Sequence, residues 1–323
     1  MRKAIGIIIF FQYLSLLGCS SGSEKAYLPA IHDIAFVSSD EAWLVTKDQN
    51  LFHLFGDGSR NKETKITAKV GSVDFRGHSG WALDVQGRIW SHDDRGWSLT
   101  SKDSVGFSPL SQVTYIDANI GWIRTLTELS LTEDGGNTWK KVRSTEPGIL
   151  RHFFAADRDT AYLYGTGGTI ERTTDRGRTW ISVNLQVDSD VTAIACPEDS
   201  PKNCWTGTAE GEIFAVSESN TPVRTGRVNG KAIAVNSISF ADKNNAVVAG
   251  MCYAESINDD TTGLLLITSD GGRTWRSIDV PLDKRFTKVR VFEGRVIWLA
   301  SDSRVYRSPN MGETWMTLID LQK

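Results

Sequence analysis

Apolar and polar positions alternate in short runs along most of this chain, and turn residues break the runs at close intervals. One stretch shows the form: Val113–Ile116, Gly121–Thr125, Glu128–Thr132 and Thr138–Arg143 are alternating or β-branched, with Asp, Asn and Gly between them. Such runs predict strands joined by tight turns. No helical periodicity is sustained after Cys19, so the pattern predicts an all-β chain.

The group of four runs recurs. An apolar pair carrying an aromatic appears at Trp43, Trp81, Trp122, Tyr162, Trp205 and Trp298, with Val247 in one copy, at separations of 38, 41, 40, 43, 42 and 51. Ahead of most of these stands a second apolar landmark: Phe36, Phe75, Ile116, Phe154, Phe240 or Phe292. The two series define seven units, beginning near residues 31, 70, 111, 148, 190, 233 and 286. Four short strands at a period near 41 predict a seven-bladed β-propeller of four-stranded antiparallel blades over residues 31–323.

Late in most units lies a box, Ser/Thr-x-Asp-x-Gly-x-Thr-Trp. It reads Thr132 to Trp139, Thr173 to Trp180 and Thr268 to Trp275, with Asn for Asp in Ser308 to Trp315 and a damaged second half in Ser91 to Trp97. Its central positions are Asp93, Asp134, Asp175, Asp270 and Asn310, separated by 41, 41, 95 and 40. The gap of 95 is two periods with one box missing. In the hairpin between third and fourth strands the carboxylate can accept from the turn's own N–H groups, and the Gly supplies positive φ. The leading Ser/Thr adds a local bond, and the Trp is expected to pack against the strand before it. A residue repeated blade after blade suits a scaffold better than one active site, so these positions are read as structural.

Composition adds little except tryptophan. Of eleven Trp in 323 residues, five hold the first landmark and five close the box. A formal charge of −3 gives no reason to expect nucleic-acid binding.

The N-terminus has its own pattern. Arg2 and Lys3 precede an apolar stretch, Ala4 to Leu17, too short to span a bilayer but suited to a signal-peptide core. It ends in Leu16-Leu17-Gly18-Cys19, which resembles the lipobox of bacterial lipoproteins. The resemblance implies a signal peptide over residues 1–18, lipidation of Cys19, and a tether over 19–30. Export would then place the protein, held by its acyl chains, on the periplasmic or outer-membrane side, with Ser20 favouring the outer membrane. Cleavage removes Arg2 and Lys3 and no acid, moving the formal charge from −3 to −5.

The box is similar to the Asp-box, or BNR repeat, of sialidases, sortilin-type receptors and xyloglucanases. In layout the chain also resembles the photosystem II assembly factor family of cyanobacteria and chloroplasts, seven-bladed propellers that cyanobacteria export as lipoproteins. Blade four, Ala161 to Ile170 followed by its box, has that family's look. The resemblance covers the architecture of residues 31–320 and implies a protein-binding or assembly role.

Candidate chemistry is sparse. No Pro follows an Ile, so the Arg-Ile-Pro motif expected of a sialidase is absent. Asp33 and Asp74 sit at the same parity on the first strands of adjacent blades, so their side chains could approach each other by the channel, as a two-carboxylate glycosidase would need. Two solvated channel aspartates are the simpler expectation. His32, His53, His78, His92 and His152 are scattered, with no pair at metal-ligand spacing. Gly165-Thr166-Gly167-Gly168 precedes a strand rather than a helix, so it is a turn and not a phosphate cradle. No catalytic, cofactor or metal residue is assigned.

Cys196 and Cys204 flank an insertion in the blade that lacks its box, where a disulfide would clamp the loop in an exported protein. Cys252 is then left free or competes for one of them. Blade six also carries an insertion, Tyr253–Thr262, with Glu255, Asp259 and Asp260. These neighbouring loops are the expected partner surface. The sequence thus supports a lipid-anchored, non-catalytic propeller that binds or helps assemble another protein. The rival is a glycan-binding or glycan-cleaving propeller.

Overall fold

The computed structural model describes residues 30–100, 104–109, 111–145, 148–217, 221–227, 233–253, 261–280 and 283–322. The expected signal peptide, Cys19 and the expected tether up to residue 29 lie outside them, as do Glu255, Asp259 and Asp260.

The chain forms seven sheets of four antiparallel strands, each sheet a contiguous segment with its strands in sequence order. This is a seven-bladed β-propeller. Its first strands run Ile31–Phe36, Val70–Arg76, Gln112–Tyr115, Leu150–Ala155, Val191–Ala195, Ile233–Phe240 and Phe286–Phe292. Most of them pack on their counterparts in neighbouring blades, so they form the inner wall. In six blades the pairing of first and second strands shifts register near the start of the first. Such a bulge increases twist, which helps each sheet rotate from its inner edge outward.

The core is divided into seven clusters, one between each pair of adjacent blades. The aromatic landmark on each second strand faces the following blade: Trp43 packs with Val73 and Phe75, Trp122 with Leu150 and Phe153, Trp205 with Val235 and Ile238. The period near 41 is therefore the period of an interface. No blade can bury its own apolar face alone.

The box tryptophans complete these interfaces from the other side, and here the sequence expectation needs correction. Their rings do not stay on their own blade. Trp97 meets Trp43 edge to face at 5.2 Å, Trp139 meets Trp81 at 5.8 Å, and Trp275 meets Trp205 at 5.9 Å, each reaching back to the preceding blade. Gly272 of the blade-six box, at φ +82°, makes room for the blade-five landmark, because a Cβ there would lie 3.0 Å from the Trp205 ring.

Blades one and seven close the ring without sharing a strand. Trp298, fully buried, joins Ile34, Phe36 and Leu44 of blade one, and its indole N–H donates to the Ser39 carbonyl at 2.9 Å. Arg307 donates to the same carbonyl at 2.8 Å and to Asp40 at 2.7 Å.

Candidate functional site

Polar side chains on the first strands face the channel, and most are engaged in joining blades. Asp33 accepts from the Ile34 N–H at 2.8 Å with one carboxylate oxygen. With the other it accepts from the Ser72 hydroxyl and the Val73 N–H of blade two, both at 3.0 Å. Ser72 in turn accepts from the Val113 N–H of blade three at 3.3 Å, and Asp74 from the Tyr115 N–H at 2.9 Å. Ser237 and Ser239 of blade six accept from Val289 and Val291 of blade seven at 3.2 and 3.0 Å. Lys288 closes the circuit by donating to the Ile34 carbonyl of blade one, with its ammonium 3.8 Å from Asp33.

Asp33 and Asp74 are thus brought to the same wall, within electrostatic reach of each other and of Lys288. Burial pushes the Asp74 carboxyl up, against the opposing pull of Lys288, the Tyr115 N–H and Arg76. Both oxygens of Asp33 are occupied by neighbouring donors, which leaves it poorly placed to act as an acid or base.

Two arginines straddle the mouth where the first strands end. Arg76 of blade two passes blade three and donates to the carbonyls of Tyr115 at 3.2 Å, Ala155 at 2.9 Å and Ala156 at 3.3 Å. From the opposite side, Arg290 of blade seven reaches past blade six to Glu198 at 2.7 Å. Glu198 sits in the loop that a Cys196–Cys204 disulfide closes in blade five, with Cα atoms 4.1 Å apart. The Tyr162 hydroxyl lies 3.2 Å from the Cys204 sulfur. Cys252 is not part of this disulfide. No spacing in the sequence could have announced the Arg290–Glu198 pair, since its members are 92 residues apart.

The intact boxes are alike to within tenths of an ångström. Asp134 accepts from the Thr138 N–H at 2.9 Å and hydroxyl at 2.6 Å, and from the Thr132 hydroxyl at 2.8 Å. Asp175 and Asp270 repeat these bonds. Asn310 makes the same three contacts with one oxygen, at 3.0, 3.2 and 3.0 Å. Asp93 instead binds Arg95. The threonine hydroxyls hold the Asp134 and Asp175 carboxyls below the usual range, and Asp270 is lowered to about 2.

The histidines are less scattered than the sequence suggests. His53 and His78 flank Glu41 at 3.7 and 3.2 Å, and His53 stacks on Trp43 at 4.3 Å. His92 lies edge-on to Trp43 at 5.4 Å and bonds the His78 carbonyl at 3.0 Å. The register of blades one and two assembles this group. Burial lowers the His53 ring despite Glu41. Among the described residues, no group of three or more His, Cys, Asp or Glu side chains is arranged to hold a metal ion. Gly167 and Gly168 form a positive-φ turn between the second and third strands of blade four.

No protein-family model matches the sequence, and no curated protein matches it either. Solved structures do. YCF48 bound to a D1 peptide is 18% identical, with a TM-score of 0.62 over 85% of this chain and 91% of that one. YCF48 from Cyanidioschyzon merolae is 16% identical, with a TM-score of 0.64 over 89% and 97% of the two chains. The WD40 β-propeller domain of Doa1 is 11% identical, with a TM-score of 0.59 over 86% and 91%. At these identities the likeness is one of fold.

Proposed function

We propose that the protein is a lipid-anchored, extracytoplasmic and non-catalytic propeller that binds another protein on its rim, in the manner of an assembly factor. The observation that carries this reading is the use of the channel carboxylates. Asp33 and Asp74 each accept from backbone N–H groups of the next blade. Their chemistry goes into making a rigid ring, and what a rigid ring offers is display of its loops. The loop at 196–204 departs furthest from the repeat among those described, is closed by a disulfide, and reaches the channel mouth through Glu198. Support also comes from a similar fold, YCF48, solved with a D1 peptide. The lipobox-like Cys19 adds the anchor, which would concentrate the protein at a membrane surface. The Asp and Asn of the boxes serve as turn locks in this reading.

The test is affinity purification of the lipidated protein with partner identification, run beside a screen for glycan hydrolysis. The reading expects one reproducible polypeptide partner and no turnover. Turnover abolished by Asp33→Ala or Asp74→Ala contradicts it.

A further inference from the structure

Arg124 ends the second strand of blade three, Gly121–Arg124, and is only 5% exposed. Charged side chains are almost never so buried without a counter-charge. Two less buried arginines have such partners: Arg304 is held by Asp283 and Asp320, and Arg143 pairs with Glu171. Arg124 forms no ion pair with any described carboxylate. Its guanidinium donates once, from Nη2 to the Leu150 carbonyl of blade four at 3.0 Å, and its Nε–H is buried with no acceptor. Burial works against its charge, and the only group favouring that charge is Tyr164.

His152, on the inner strand of blade four, stacks on Tyr164 with centroids 5.2 Å apart. Its ring is lowered to about 4, by burial first and then by Arg124 and Arg151, with Asp190 opposing. Arg151 is tied to the Gly148 carbonyl at 3.0 Å and to Asp190 at 3.3 Å. A neutral imidazole beside an uncompensated guanidinium gains a proton readily once a negative charge arrives.

We propose that Arg124, with His152 beside it, forms a binding site for a small oxyanion, a phosphate or a carboxylate. The anion supplies a counter-charge that no described carboxylate provides, and it takes Nη N–H groups of the guanidinium left over from the Leu150 contact. The site lies at the end of the blades opposite the 196–204 loop, so it stands or falls independently of the partner-binding reading.

The experiment titrates inorganic phosphate, and separately acetate, into the purified full-length protein at constant ionic strength, with chloride as control. Two quantities are read: Tm, and the His152 ring resonance through a pH titration. The expected result is a saturable rise in Tm with at least one of the two anions and an upward shift of the His152 midpoint by a pH unit or more. Which anion acts distinguishes phosphate from carboxylate. Arg124→Met should abolish both responses while melting no lower than wild type without anion, because an apolar replacement relieves an unpaired buried charge. Equal anion stabilisation of wild type and Arg124→Met overturns the proposal. So does an Arg124→Met protein that melts markedly lower with wild type indifferent to both anions. Should Arg124→Met not fold, the wild-type His152 titration decides: an unmoved midpoint at saturating phosphate and acetate overturns it.

Discussion

Trp205 and Trp275 meet edge to face across the boundary between blades five and six, with ring centroids 5.9 Å apart and planes at 72°. They come from the two landmarks that recur along the sequence, and they show that these landmarks are the two halves of one contact. Trp205→Ala should destabilise the protein by about 3–5 kcal/mol, as expected for a truncated core aromatic. In a double-mutant cycle with Trp275→Ala, the coupling should be about 0.5–1.5 kcal/mol. Denaturant unfolding measures both; additive losses would show that the rings do not support each other.

The boxes should respond to acid in a defined direction. Asp270 is lowered to about 2 from an ordinary value near 3.8, so its contribution is present above the ordinary value and is lost as pH falls through about 2. Asp270→Asn copies the natural Asn310 and should keep the neutral-pH melting point while flattening the Tm–pH profile between about pH 4 and 2. Asp270→Ala should lower Tm at neutral pH. An Asn variant with an unchanged acid profile would count against this account of the turn.

Asp74 has the opposite sign. Burial raises its carboxyl, so its ionisation costs stability as pH rises above the ordinary carboxylate value. Asparagine keeps an acceptor for the Tyr115 N–H. Asp74→Asn should therefore match wild type near pH 4 and exceed it at pH 7, a comparison that chemical denaturation at the two pH values makes directly.

The disulfide closes a short loop, with its cysteines eight residues apart. By chain entropy its loss should cost about 2–3 kcal/mol. Cys196→Ser with Cys204→Ser should show that loss, together with faster proteolysis between residues 196 and 204, while the other blades keep their hydrogen-exchange protection.

The blade boundaries were legible almost to the residue. Units expected to begin near 31, 70, 111, 148, 190, 233 and 286 open on strands at Ile31, Val70, Gln112, Leu150, Val191, Ile233 and Phe286. Strand alternation and turn residues are local signals, and a sevenfold repeat averages out their noise. What stayed hidden depends on which blade lies beside which face. The direction taken by the box tryptophans, the His53–His78–His92 group around Glu41, and the reach of Arg76 and Arg290 along the channel mouth all arise from ring closure. The buried Arg124 was hidden for a different reason: a strand-end arginine reads as solvated until burial is known.

The central claim is that the ring displays a loop to a protein partner and performs no chemistry. The most direct measurement places a photoreactive residue at Asp199, in the disulfide-closed loop, and at Lys62, on the exposed outer strand of blade one, in the full-length protein. The account predicts a single reproducible polypeptide adduct from position 199 and none from position 62. No adduct above the level at position 62, together with glycan turnover lost in Asp33→Ala, would contradict it.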